Sequence, residues 1–105
     1  MSVEQEILSG IKKSIKLSAP KATVILYGSY ARGDQRPDSD IDLLILIDKE
    51  KVSIDDERKI KYPLYDIEFD KGKVISPLVL SKREWETKHS ITPFYENIKK
   101  EGIRL

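Results

Sequence analysis

Gly28-Ser29-Tyr30-Ala31-Arg32-Gly33-Asp34-Gln35-Arg36-Pro37-Asp38-Ser39-Asp40-Ile41-Asp42 is the longest polar turn in the chain and joins two apolar runs. Ala22 to Tyr27 before it is short, β-branched and bounded by Pro20 and Gly28, which predicts a strand entering a glycine turn directly. Asp40 to Ile47 after it predicts a second strand. Its half Leu43-Leu44-Ile45-Leu46-Ile47 is continuously apolar, as in a central strand covered on both faces.

Alternation along that strand sends Asp40 and Asp42 to one face and Ile41 to the core. Two carboxylates at about 4 Å and an effective dielectric near 20 repel by on the order of 4 kcal/mol, enough to raise one pKa unless a cation binds. Gly28 permits close approach of backbone to a ligand, and Ser29 adds a hydroxyl and an N–H at the start of a short helical turn, which suits an anionic phosphate. Two look-alike motifs fail. Asp34 occupies the place of the P-loop lysine, and Leu43 and Lys49 occupy the glycine and final acid positions of an EF-hand loop.

Outward from this segment, Val3, Ile7, Ile11 and Ile15 recur every four residues, with Leu8 beside them, and predict an amphipathic helix that Pro20 ends. Ser53 with Asp56 predicts a cap for a helix over about Ile54 to Phe69, kinked or divided at Pro63. Val74 to Leu80 reads as a third strand. Ser81 to Glu84 caps a short helix carrying Trp85, and Thr92-Pro93 starts a last helix that stops at Gly102. Trp85 and the Tyr62, Tyr65 pair read as packing residues in a core or an interface, and His89 as a surface or helix-end residue without metal partners. Phe94, Tyr95 and Ile98 either pack inward or present a partner surface.

The chain has 105 residues, 39% hydrophobic and 35% charged, which fits a single domain over 1–105 and excludes a disordered polymer. Nineteen basic and eighteen acidic side chains nearly cancel, so direct nucleic-acid binding is not expected. With no cysteine and only His89, any metal should bind to oxygen. Lys12, Lys13, Lys16 and Lys21 make a modest solubilising patch. Met1 to Lys16 lacks the apolar core of a signal peptide and no stretch is long enough to span a membrane, so a cytoplasmic protein is the expectation.

Gly28-Ser29 followed by Asp40-Ile41-Asp42 within a hydrophobic strand resembles the signature of the DNA polymerase β-like nucleotidyltransferase superfamily. The form Gly28-Ser29-x-Ala31-Arg32-Gly33 resembles its minimal nucleotidyltransferases, small prokaryotic proteins often paired with a helical HEPN protein. The resemblance implies an α/β (α+β) fold, a short mixed β-sheet flanked by helices. It implies Gly28 and Ser29 on the triphosphate, Asp40 and Asp42 as catalytic magnesium ligands, and Arg32 on phosphate or in a structural ion pair. It further implies transfer of AMP from ATP to an acceptor hydroxyl on a HEPN-type partner, and leaves homo-oligomerisation open. Active members usually add a third carboxylate from a following strand. Ser76 stands at that position in Val74-Ile75-Ser76-Pro77-Leu78-Val79, with Glu68 or Asp70 as nearby substitutes, and the rival reading is a degenerate binding or antitoxin subunit.

Overall fold

The computed structural model describes residues 3–105, so Met1 and Ser2 of the first expected segment lie outside the described residues. In chain order the elements are α1 (Val3–Ser18), β1 (Thr23–Tyr27), α2 (Ser29–Arg32), β2 (Ile41–Ile47), α3 (Ile54–Lys71), β3 (Ile75–Ser81), α4 (Lys82–Thr87), α5 (Pro93–Glu101) and β4 (Ile103–Arg104). The four strands form one sheet in the order β3-β2-β1-β4. β2 runs antiparallel to β1 and parallel to β3, and β4 closes antiparallel on β1. The sheet is therefore mixed, as expected.

β2 is the interior strand that its apolar run demands. Ile41, Leu43, Ile45 and Ile47 pack with Ile7, Ile11 and Ile15 of α1 and with Ile60 and Leu64 of α3. Leu44 and Leu46 face the other way, onto Trp85 of α4 and Ile98 of α5. Period-two alternation thus assigns each face of β2 to its own helical layer. On α1 the stripe holds for Ile7, Ile11 and Ile15, whereas Val3, in the first turn, is exposed. Phe94, Tyr95 and Ile98 turn inward, with Phe94 and Tyr95 against Trp85 at ring-centroid separations of 5.6 and 4.9 Å.

Two readings of α3 are narrowed, each to one of its alternatives. Pro63 does not divide α3, which is continuous from Ile54 to Lys71. Its ends are fixed by a capping box between Ser53 and Asp56 and by left-handed Gly72, and Ile60 and Leu64 on both sides of Pro63 are locked in the core. Tertiary packing outweighs the one hydrogen bond that proline removes. Tyr62 and Tyr65 do not enter the core; both are exposed on the outer side of α3. β4 was not anticipated: after Gly102 the chain adds a short strand to β1, with the Leu105 N–H donating to the Val24 carbonyl at 2.9 Å.

Asp56 ties the start of α3 down twice. Its carboxylate accepts from the Ser53 N–H at 3.0 Å and from Lys49 Nζ at 2.6 Å. These contacts, the Lys49 hydrogen bond first, pull its pKa down to about 2. A depressed carboxylate contributes stability above its unfolded pKa and loses it as pH falls toward 2. Asp56→Ala is therefore expected to cost about 1 kcal/mol at pH 7 and little at pH 2, read by urea denaturation at both.

Candidate functional site

The antiparallel pairing of β1 and β2 places the end of one strand beside the start of the other, with Tyr27 directly opposite Asp42. Gly28 follows at once and serves as the N-cap of α2 with φ 73° and ψ −155°. That region of backbone space is open essentially to glycine alone. Having no side chain, Gly28 also makes no side-chain cap, and the first N–H groups of so short a helix lack intrahelical acceptors. The Ala31 and Arg32 N–H groups donate to the Gly28 carbonyl, and the Ser29 end of the turn is of the kind that suits an anion.

A β-carbon on Gly28 would collide with Asp42 Oδ2 and sit 3.3 Å from Asp42 Cγ. The glycine turn and the acid pair are one structure: the backbone of the turn packs on the carboxylate. Asp40, just before β2, and Asp42 within it share the side of the sheet that carries Leu44 and Leu46. Ile41 between them is buried in the opposite layer. Asp40 is exposed and Asp42 half-buried.

Burial, and then the charge of Asp40, push the Asp42 carboxyl above the usual carboxylate range, while Arg32 opposes the rise. Tyr27 is raised likewise, by burial and then by Asp42. An acid whose pKa is raised on folding favours the folded state below its unfolded pKa and loses that benefit as pH rises through the folded value. Without a bound cation the Asp42 charge thus destabilises the fold at neutral pH. Asp42→Asn is expected to melt above wild type in chelator at pH 7, with the difference shrinking on acidification, as scanning calorimetry would measure.

Arg32 is held by carboxylates on both sides. Its Nε lies 3.2 Å from Asp34 Oδ2 and one terminal nitrogen 3.3 Å from Glu101 Oε1, which together raise its pKa, the Asp34 hydrogen bond most. The arginine is ion-paired and still close enough for its charge to be felt at Asp42. Glu101, at the end of α5, joins this edge of the site without any local sequence signal, being 69 residues away. Tyr27 was also missed as a neighbour; Phe94 meets it edge-on at 5.4 Å.

Ser76 does occupy the strand position beside the acid pair. It is in register with Asp42, and its hydroxyl lies 3.4 Å from Asp40 Oδ2. The two substitute acids are engaged elsewhere: Glu68 accepts the Ile75 N–H at 3.2 Å, and Asp70 lies 3.9 Å from Lys71 Nζ. Among the described residues, no third acid, histidine or cysteine joins the aspartates in a metal-holding cluster. His89 follows α4 and stacks on Trp85 at 6.0 Å. A cavity of about 330 Å³ lined by Ala19, Lys21, Ile47, Lys49, Asp56 and Lys59 lies at the other ends of β1 and β2. It is separate from the aspartates. No helix among the described residues is long and apolar enough to cross a membrane.

Comparison with known proteins places this geometry. The nucleotidyltransferase domain family matches residues 8–105. A protein of Methanocaldococcus jannaschii named "putative protein adenylyltransferase" is 41% identical over 85 residues, covering 73% of this chain and 79% of that protein. A second protein of the same name and organism is 41% identical over 49 residues, covering 47% of this chain and 49% of its own length. A crystal structure described as a "putative nucleotidyltransferase" from Sulfolobus solfataricus superposes with a TM-score of 0.55 at 20% identity, covering 99% of this chain and 86% of that one. The last likeness is one of fold.

Proposed function

The chain belongs to the nucleotidyltransferase domain family, and from that premise we propose that it transfers AMP from ATP to a hydroxyl on a protein acceptor in a magnesium-dependent reaction. The observation that carries the reading is the seat of Gly28 against the Asp42 carboxylate, which joins a phosphate-binding turn to a cation-seeking acid pair within one ligand's reach. The names of the curated relatives support adenylyl transfer to protein.

Asp40 and Asp42 fit magnesium in donor type: hard oxygens, two carboxylates on one face, and a raised Asp42 that a cation would relieve. When bound there, the ion would supply charge compensation at the α-phosphate and the leaving pyrophosphate. The chain's own groups do the rest. The α2 N-terminus and Ser29 hold the triphosphate, and Arg32, anchored by Asp34 and Glu101, adds positive charge at its edge. The acceptor oxygen forms a bond to the α-phosphorus as the bond to the bridging oxygen breaks; pyrophosphate leaves, and the hydroxyl proton passes to water. A HEPN-type helical protein is the acceptor we favour, the partner that the resemblance to minimal nucleotidyltransferases implies.

Ser76 motivates a second reading, a subunit that binds nucleotide without transferring it, because a neutral hydroxyl is a poor metal ligand and base. Incubation with α-labelled ATP, magnesium and HEPN-type candidates separates the two. Label on the acceptor, abolished by chelator, supports transfer. ATP binding without any label moves the assignment to the second reading.

A further inference from the structure

Helix α3 carries an apolar stripe that the described residues leave exposed. At 100° per residue, Ile54, Arg58, Tyr62, Tyr65 and Phe69 fall within one quarter of its circumference, opposite the buried Ile60 and Leu64 and the partly buried Ile67. Phe69 is 92% exposed, Ile54 67%, Tyr62 59% and Tyr65 42%. So much aromatic surface in water on one helix face is unusual for a partnerless protein. The stripe is also remote from chemistry, because α3 covers the sheet face opposite to Asp40 and Asp42.

The charges beside the stripe say what fits it. On one flank Lys59 lies beside its first half and Asp66 beside its second, so an antiparallel copy of the same helix meets opposite charge there; on the other flank Lys61 pairs with Glu57 and Glu68 holds the Ile75 N–H within the chain. A two-fold axis between Pro63 and Leu64 sets Tyr62 opposite Tyr65 of the second copy and Arg58 over its Phe69. The same axis, within about one residue, brings Lys59 of each copy to Asp66 of the other. Among the described residues Arg58, Lys59 and Asp66 form no ion pair within the chain. A net charge of +1 offers no general repulsion to a second copy.

We propose that the outer face of α3 is the interface of an isologous antiparallel homodimer centred on Tyr62, Tyr65 and Phe69. Burying these rings and Ile54 on both copies removes on the order of 1,000 Å² of surface, the size of a weak, reversible interface. The two catalytic faces point away from the axis and stay open to acceptors.

Sedimentation equilibrium of the full chain, from about 1 to 100 µM, tests the arrangement. Wild type is expected at twice 12.1 kDa in the upper range. Phe69→Asp should be monomeric throughout while keeping the wild-type circular dichroism spectrum. Lys59→Glu and Asp66→Lys should each weaken association about tenfold, and the double variant should recover it, because reversal restores both symmetric pairs. A monomer at all concentrations, a dimer indifferent to Phe69→Asp, or no recovery in the double variant overturns the proposal. Capture of a helical partner by this face in place of self-association also overturns it. None of these outcomes depends on whether AMP is transferred.

Discussion

Asp42→Asn is expected to lower AMP transfer by about a hundredfold or more, with the fold intact, as measured by single-turnover transfer of α-labelled ATP at saturating magnesium. Asp42 is the partly buried member of the pair, lies opposite Tyr27 and bears the backbone of Gly28. Asparagine keeps the shape and one acceptor oxygen but removes the charge, so the loss reports electrostatics and not packing. The same change should raise metal-free stability, because burial and Asp40 hold this carboxyl above its usual range. A loss of activity coupled to a gain in stability is the mark of a functional charge, whereas an ordinary ion pair would lose both. A solvated acidic loop balanced by arginine predicts neither.

Gly28→Ala is the second large effect. Its backbone, at φ 73° and ψ −155°, lies where a side chain costs roughly 1–3 kcal/mol, and its β-carbon would meet the Asp42 carboxylate. The turn can relieve the collision only by moving away from Asp42, which pulls the triphosphate seat off the acids. We expect a loss of about 2–3 kcal/mol in chemical denaturation and at least about a tenfold loss of ATP affinity. Gly33→Ala is the matched control. Gly33 also has positive φ, 79°, but no atom lies within 4 Å of its would-be β-carbon. It should cost about 1 kcal/mol and leave ATP affinity nearly unchanged.

Much of this was legible because two local periodicities carry it. The alternation of Asp40, Ile41 and Asp42 was enough to send the acids to one side and isoleucine to the other, and the unbroken run to Ile47 was enough to make β2 central. Caps at Ser53, Ser81 and Thr92 were visible because each acts on residues within one turn. What was not legible is what depends on distance. Glu101 reaches Arg32 only because α5 returns along β1, and β4 forms because Gly102 can lie against Ile25, where a β-carbon would approach within 2.7 Å. Pro63 leaves α3 undivided because the packing of Ile60 and Leu64, which comes from α1 and the sheet, offsets the local cost of proline. Tyr62 and Tyr65 read as core or interface packing, and only the tertiary fold decides between the two: α3 turns them to solvent, which sets the core aside. Ser76 was identified by its strand position, and the register with Asp42 places it beside the acids.

The missing third acid shifts weight to substrate positioning. With Glu68 held by the Ile75 N–H and Asp70 beside Lys71, the site has two carboxylates and one hydroxyl. Such a site depends on a well-placed acceptor more than on a strong internal base.

The most direct test is calorimetric titration of ATP into the wild-type chain and into Asp42→Asn, each with magnesium and with chelator. If Gly28-Ser29 and the aspartates form one magnesium-nucleotide site, only wild type with magnesium binds ATP tightly. Equal binding in all four titrations would contradict it.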